Sequence, residues 1–123
     1  MNETVIEPNR VRPFRGVPQK KGRKAERLIQ TVADEYRIPV SDLYIKSRAP
    51  KHSEPRAVAM SLLRSILKLS FSVISRHFEY SHPSAVISAC RRMDPRVLTD
   101  NDLRDTIIGI INVYKNEDQK RNP

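Results

Sequence analysis

Tryptophan is absent from the sequence and cysteine occurs once. A lone thiol, Cys90, closes no internal disulfide, which suits a chain folding in a reducing compartment. Only three glycines are present, Gly16, Gly22 and Gly109. None belongs to a glycine-rich loop ending in Lys-Ser or Lys-Thr, so a phosphate-cradling nucleotide loop is excluded. No apolar run approaches the ~18 residues that a membrane span needs. The opening stretch has no apolar segment of the kind that secretory signals carry. The histidines His52, His77 and His82, taken with Cys90, lack metal-ligand spacing, and no nucleophile–base pair stands out. The expectation is a cytoplasmic protein that is not an enzyme, uses no metal or cofactor and has no membrane partner.

Negative charge is also in short supply. Lys and Arg number 23 against 14 Asp and Glu, a formal net charge of +9. The excess is unevenly spread. Residues 1–24 hold seven basic and two acidic groups, and residues 37–96 hold eleven and four. Residues 100–118 reverse the sign, with five acidic against two basic. A basic middle and an acidic C-terminal stretch imply one face for a polyanion and another turned away from it.

The chain of 123 residues, 38% of them hydrophobic, fits a single domain with one modest core. Residues 1–22, with Pro8, Pro13, Pro18, Gly16 and Gly22, read as a disordered basic arm. Such an arm serves either to lie along phosphates or simply as a solubilising tail. A helical domain is expected over 23–116, with a flexible tail at 117–123. Ala25, Leu28, Ile29, Val32, Ala33 and Tyr36 form one helical stripe over 23–36, and Arg37-Ile38-Pro39 ends it. Ser41 caps a short turn to Ile45. Residues 46–54 read as a basic loop, followed by a helix capped by Ser53 or Glu54, with Pro55 in its first turn and Ala59, Leu62, Leu63 and Ile66 inward.

A short helix is expected over 70–78, with Ser70 as its cap and Phe71, Ile74 and Phe78 inward. After a turn at Glu79-Tyr80-Ser81, His82 or Ser81 caps a further helix with Pro83 in its first turn. Val86, Ala89, Cys90 and Met93 form its inner face, which makes Cys90 a core thiol. Ser84, Ile87, Ser88 and Arg91 form its outer face. A last helix, from about Asp100 to Tyr114, turns Leu103, Ile107, Ile110, Ile111 and Tyr114 inward. Two short helices joined by a tight turn, the second with a small polar outer face, describe a helix-turn-helix, although any helical hairpin shares the pattern. A helix fits the major groove, and small residues at its start let the backbone approach base edges.

Specific residues sharpen this. The stretch Ile29-Gln-Thr-Val-Ala-Asp-Glu-Tyr36, then Val40-Ser-Asp-Leu43, Lys46-Ser-Arg48 and Pro55-Arg-Ala-Val-Ala-Met60 resembles domain IV of DnaA, the origin-binding domain of the bacterial replication initiator. The likeness runs on through Ser70-Phe-Ser-Val-Ile74, Phe78, Val86 and Ala89-Cys-Arg-Arg92. It implies a compact all-α, Trp-repressor-like fold and double-stranded DNA as the partner. It also implies roles. Arg48, with Lys46 and Lys51 in the same basic loop, matches the arginine that enters the minor groove, and Arg56 and Arg64 match phosphate-facing positions. Ser70 and Phe71 match the start of the first helix of the helix-turn-helix, and Arg91 and Arg92 the basic pair on the recognition helix. The initiator's ATPase module is expected to be absent.

The departure falls where bases are read. The family's glycine-containing turn leads into Arg-Asp-His-Thr-Thr-Val, and here Glu79-Tyr80-Ser81-His82-Pro83-Ser84-Ala85-Val86 stands instead. An arginine bidentate to guanine supplies about 1–3 kcal/mol of discrimination, and none is present. Weak recognition of the family's usual site is therefore expected. Glu79 replaces the favoured glycine, so an altered turn is expected rather than a left-handed one costing about 1 kcal/mol. His82, Ser84 and Ser88 remain to bond base edges, Ala85 and Ile87 to meet a thymine methyl, and Tyr80 to stack or touch a phosphate. For each, an exposed surface or capping role is the alternative. The expected function is a nucleoid-associated regulator of replication or transcription, in a bacterium or on a phage, with altered site specificity. Replication-machinery proteins are candidate partners, and a dimer would add base contacts. The alternative is a protein-interaction module, or a non-specific DNA binder that has lost sequence readout.

Overall fold

The computed structural model describes residues 11–121 and contains five α-helices, one 3-10 turn and, among the described residues, no strand. The helices are α1 (Gln19–Tyr36), α2 (Pro50–Ser65), α3 (Phe71–His77), α4 (Ser84–Thr99) and α5 (Asn101–Arg121), with the 3-10 turn at Val40–Tyr44. The all-α helix-turn-helix architecture agrees with the sequence reading.

The stripe on α1 is fully buried at Ala25, Leu28, Ile29, Val32 and Ala33. The helix stops where Arg37 turns left-handed at φ 57° and the Ile38 N–H returns to the Ala33 carbonyl at 3.0 Å, an αL cap followed by proline. Around α2 pack α1, α3, α4 and the 3-10 turn. That encirclement explains why α2 buries Ala57, Val58 and Met60 besides the expected Ala59, Leu62 and Leu63. A helix enclosed on several sides needs apolar residues all round, not a stripe.

Several expected boundaries move. The basic loop ends at Ala49, because α2 begins at Pro50. Two prolines suit a first turn, and the earlier one takes it. Ala49 is extended at ψ 137°, as a residue before proline prefers, and its carbonyl accepts from His52 and Ser53 at 2.9 Å. Neither Ser53 nor Glu54 caps the helix. Glu54 instead accepts from Tyr36 and Arg96 at 2.9 Å each, which joins α1, α2 and α4. Pro55 lies inside α2 and Pro95 inside α4. Neither Ser81 nor His82 caps α4: Pro83 is its N-cap, and α4 runs on past Pro95 to Thr99. The last helix has its N-terminus bonded by the Asp100 carboxylate, which accepts from the Leu103 N–H at 3.0 Å. It continues to Arg121, through most of the expected tail. Residues 122–123 lie outside the described residues.

The expected disordered arm also divides. Residues 1–10 lie outside the described residues. Residues 11–18 form a strap laid on the domain, and α1 starts at Gln19 rather than 23. Val11, Phe14 and Val17 pack against the core, and this apolar contact orders a segment whose composition alone reads as loose. The Phe14 ring stacks on His77 with centroids 3.7 Å apart and planes within 5°. Tyr44 Oη and His77 Nε2 are hydrogen-bonded at 2.7 Å.

Burial, and secondarily the Arg12 guanidinium, pull His77 down from 6.5 to about 3, so the ring is neutral in the folded chain. An unfolded chain takes up the proton near pH 6.5. The stability this group contributes is complete above that pH and declines below it, by up to about 1.4 kcal/mol per pH unit. Melting at pH 5 should therefore show a loss on the order of 2 kcal/mol relative to pH 7. His77→Phe should flatten the dependence over that window. A variant that kept the whole slope would assign it to other groups.

Candidate nucleic-acid interface

The helix-turn-helix is α3, the turn at 78–83 and α4. α3 ends in a basic turn containing Arg76 and His77, and its start is capped as expected, with Ser70 Oγ accepting from the Val73 N–H at 3.1 Å. The turn keeps the left-handed form despite its glutamate: Glu79 has φ 61°. The altered turn expected from the sequence is thus corrected. Backbone bonds outweigh the strain, with Glu79 N–H to the Arg76 carbonyl at 3.1 Å and Tyr80 N–H to the Ser75 carbonyl at 2.9 Å.

A buried side chain completes the turn. Ser75 is 3% exposed. Its hydroxyl lies 2.9 Å from the His82 carbonyl and 3.2 Å from that of Tyr80, and its single proton serves one of them at a time. From the loop, the Lys46 ammonium donates to the Glu79 carbonyl and sits 4.7 Å from the Tyr80 ring centroid. Arg56 donates to the carbonyls of Ile45 and of Ser47, the latter at 3.0 Å. These cations fix the loop at 45–49 between α2 and the turn.

The result is an open groove of about 730 Å³. It gathers Lys46 and Arg48 from the loop, Arg56 from α2, Tyr80 from the turn, and Ala85, Ser88 and Arg92 from α4. Ser53, Ala57, Met60 and Ala89 complete its lining. Four cations from three elements line it with no carboxylate among them. On α4 the groove-facing residues Ala85, Ser88 and Arg92 fall at i, i+3 and i+7. No acidic residue occupies the first turn of α4 and no side chain caps it, so its partial positive charge is not offset locally.

Other expected residues lie outside this lining. Arg64 sits over the Phe71 ring at 4.4 Å and donates to the Leu69 carbonyl at 3.1 Å, so Arg64, Ser70 and Phe71 form a second group where α2 meets α3. Phe71 is only half-buried there, not a core residue. Lys51 is exposed in the first turn of α2, and Ser81, His82, Ser84 and Arg91 are exposed on the turn and α4. Ile87 is half-buried. Cys90 is half-buried, with its thiol pushed up by burial. Sequence reasoning missed Ser75. Its signal was a polar residue on the inward stripe of Phe71, Ile74 and Phe78. It also missed Ser53, read as loop or helix cap rather than as a helix face, and Ala57, which lies on the expected helix but was not singled out.

The acidic stretch lies on α5, which packs against α1 and α4, while the groove opens between α2, α4 and the loop. No described helix is long and apolar enough to cross a membrane, and no described cluster of three or more His, Cys, Asp or Glu is placed to hold a metal.

Comparison with known proteins accords with this geometry. The family model described as the bacterial dnaA protein helix-turn-helix matches residues 25–93. The chromosomal replication initiator protein DnaA of Methylobacillus flagellatus is 32% identical over 90 residues, covering 73% of this chain and 19% of that protein. That of Dechloromonas aromatica is 34% identical over 86 residues, 70% of this chain and 18% of the relative. That of Treponema denticola is 25% identical over 112 residues, 91% of this chain and 24% of the relative. The chain thus spans about a fifth of the length of these relatives.

The turn's dependence on one hydroxyl is testable by melting. Ser75→Ala should lower stability by about 1 kcal/mol, a drop in Tm of roughly 4 °C for a domain of this size. An unchanged Tm would show that the hydroxyl does not hold the turn.

Proposed function

The chain belongs to the bacterial DnaA helix-turn-helix family, and from that premise we propose that it is a non-enzymatic protein that binds double-stranded DNA. The observation that carries this reading is the convergence of Lys46, Arg48, Arg56 and Arg92 on one groove beside α4. In the proposed complex α4 enters the major groove, and the loop bearing Arg48 reaches the adjacent minor groove, whose negative potential is greatest in A·T-rich DNA. Arg64, beside the N-terminus of α3, neutralises a phosphate. The partner is the duplex, with replication proteins as further candidates, and the setting is the nucleoid of a bacterium or a phage genome.

The specificity proposed here differs from the family's. Ser81, His82, Pro83, Ser84 and Ala85 stand where Arg, Asp, His, Thr and Thr are usual, so the strongest guanine contact has no counterpart. The phosphate-binding frame persists with different readers, which suits a regulator acting at its own site. A second reading, binding without sequence preference, is favoured by the same missing arginine.

Selection from a random duplex library distinguishes the two. An enriched motif supports a rewritten reader, and salt-sensitive binding without a motif supports the second reading. Arg64→Ala should weaken binding on all sequences alike and lower the slope of log affinity against log salt by about one. Arg48→Ala should weaken A·T-rich sites most. If neither substitution changes binding, the interface lies elsewhere.

A further inference from the structure

The strap builds a second basic cleft on the other side of the turn. Arg12, Pro13 and Arg15 from the strap, Arg76 and His77 from α3, and Glu79 from the turn enclose about 340 Å³. Three arginines here face one carboxylate. That carboxylate is engaged by Arg12 at 3.3 Å, and the Arg12 guanidinium lies 4.1 Å from the Tyr44 ring centroid. Among the described residues, neither Arg15 nor Arg76 has a carboxylate within ion-pair distance, and both are exposed. His77 is neutral and adds no charge.

The strap is shaped to meet α3 at this point. Gly16 has φ 86°, and a Cβ there would lie 2.9 Å from Arg76 Nη1 and 3.8 Å from Val73 Cγ2. The positive φ favours glycine here, and a Cβ would also displace the Arg76 guanidinium, the flexible end of an exposed side chain. The Phe14–His77 stack fixes the next turn of chain. One residue links the cleft to the lining of the main groove: the Glu79 carboxylate faces Arg12, and the Glu79 carbonyl accepts from Lys46, which lines the groove.

We propose that this cleft is a second DNA contact, in which Arg15 and Arg76 hold a backbone phosphate of the duplex seated in the groove, with the strap anchored by Arg12 on Glu79 and Tyr44. The inference rests on the DNA-binding reading above and extends it. A phosphodiester is the ligand that suits the site. It carries one negative charge, offers oxygens to guanidinium donors, and recurs at fixed spacing along a duplex already held next door. The cleft adds affinity and register without reading sequence.

The test is a salt titration of duplex affinity with the full chain. Arg15→Ala/Arg76→Ala should weaken binding on the order of tenfold at low salt on every duplex, and should reduce the salt slope by about one, the release of one phosphate's counterion. Lys115→Ala/Lys120→Ala, which removes two cations from α5 outside both clefts, should leave the slope unchanged. The melting curve of each variant reports that the fold is intact. If the arginine variant keeps wild-type affinity and slope while Arg64→Ala loses its own increment, the cleft proposal is overturned and the groove reading stands. An equal loss from the lysine variant also overturns it, because the effect is then bulk charge. If the wild-type chain shows no salt-sensitive duplex binding, both proposals fall.

Discussion

The position of α3 is the constraint on which the rest depends. It has seven residues, Phe71–His77, far below the length at which a helix holds itself in water. Its orientation is imposed from outside. Ile74 is fully buried in the core, Ser75 ties it to the turn, and His77 is clasped between Phe14 and Tyr44. α4 starts from the turn that α3 positions and packs on α2 and α5, so these three contacts place the start of α4 and those helices hold the rest of it. Burying an imidazole is unfavourable for its charged form, and here a stack and a hydrogen bond compensate the neutral one.

Charge is arranged with similar economy. Lys46 and Arg56 line the groove, yet both also donate to main-chain carbonyls. A side chain held in this way has already lost much of the rotamer freedom that binding would otherwise remove. The net-acidic stretch at 100–118 is set apart along α5, which packs against α1 and α4. That segregation gives a small basic protein a directional field instead of a uniform one.

The helices of the core were legible in the sequence because their apolar spacing is local. Leu28, Ile29 and Val32, or Leu103, Ile110 and Tyr114, announce a buried face without reference to anything distant. The groove cations Lys46, Arg48, Arg56 and Arg92 became legible through family resemblance, since charge alone does not single them out from the rest of the basic set. What stayed hidden depends on partners far along the chain. Phe14 and His77 are separated by most of the domain, and no periodicity in residues 11–18 shows that three apolar side chains find a surface there. The start of α2 was ambiguous for a different reason. Pro50 and Pro55 are both acceptable first-turn residues, and the decision rests on the extended conformation of Ala49. Glu79 was misjudged because the strain of a left-handed residue is visible in the sequence, while the backbone bonds that outweigh it are not.

The bonds that hold the turn have one further property: they reach main-chain atoms. The Ser75 hydroxyl serves the carbonyls of Tyr80 and His82, Lys46 donates to that of Glu79, and the Tyr80 N–H donates to the Ser75 carbonyl. None of these requires a particular side chain at positions 79–84. A frame fastened through the backbone leaves the side chains of the turn and of the first turn of α4 free to change while their Cα positions stay put. This is a physical reason why Ser81, His82, Pro83, Ser84 and Ala85 can occupy the place of a quite different family motif without disturbing the helix-turn-helix. The proline is the one substitution that touches the backbone. It is accommodated because α4 starts one residue later, with Pro83 as the N-cap and its carbonyl accepting the first helical bond from Ile87 at 3.0 Å. Framing is thus assigned to backbone atoms, which leaves the side chains of the same segment free to differ.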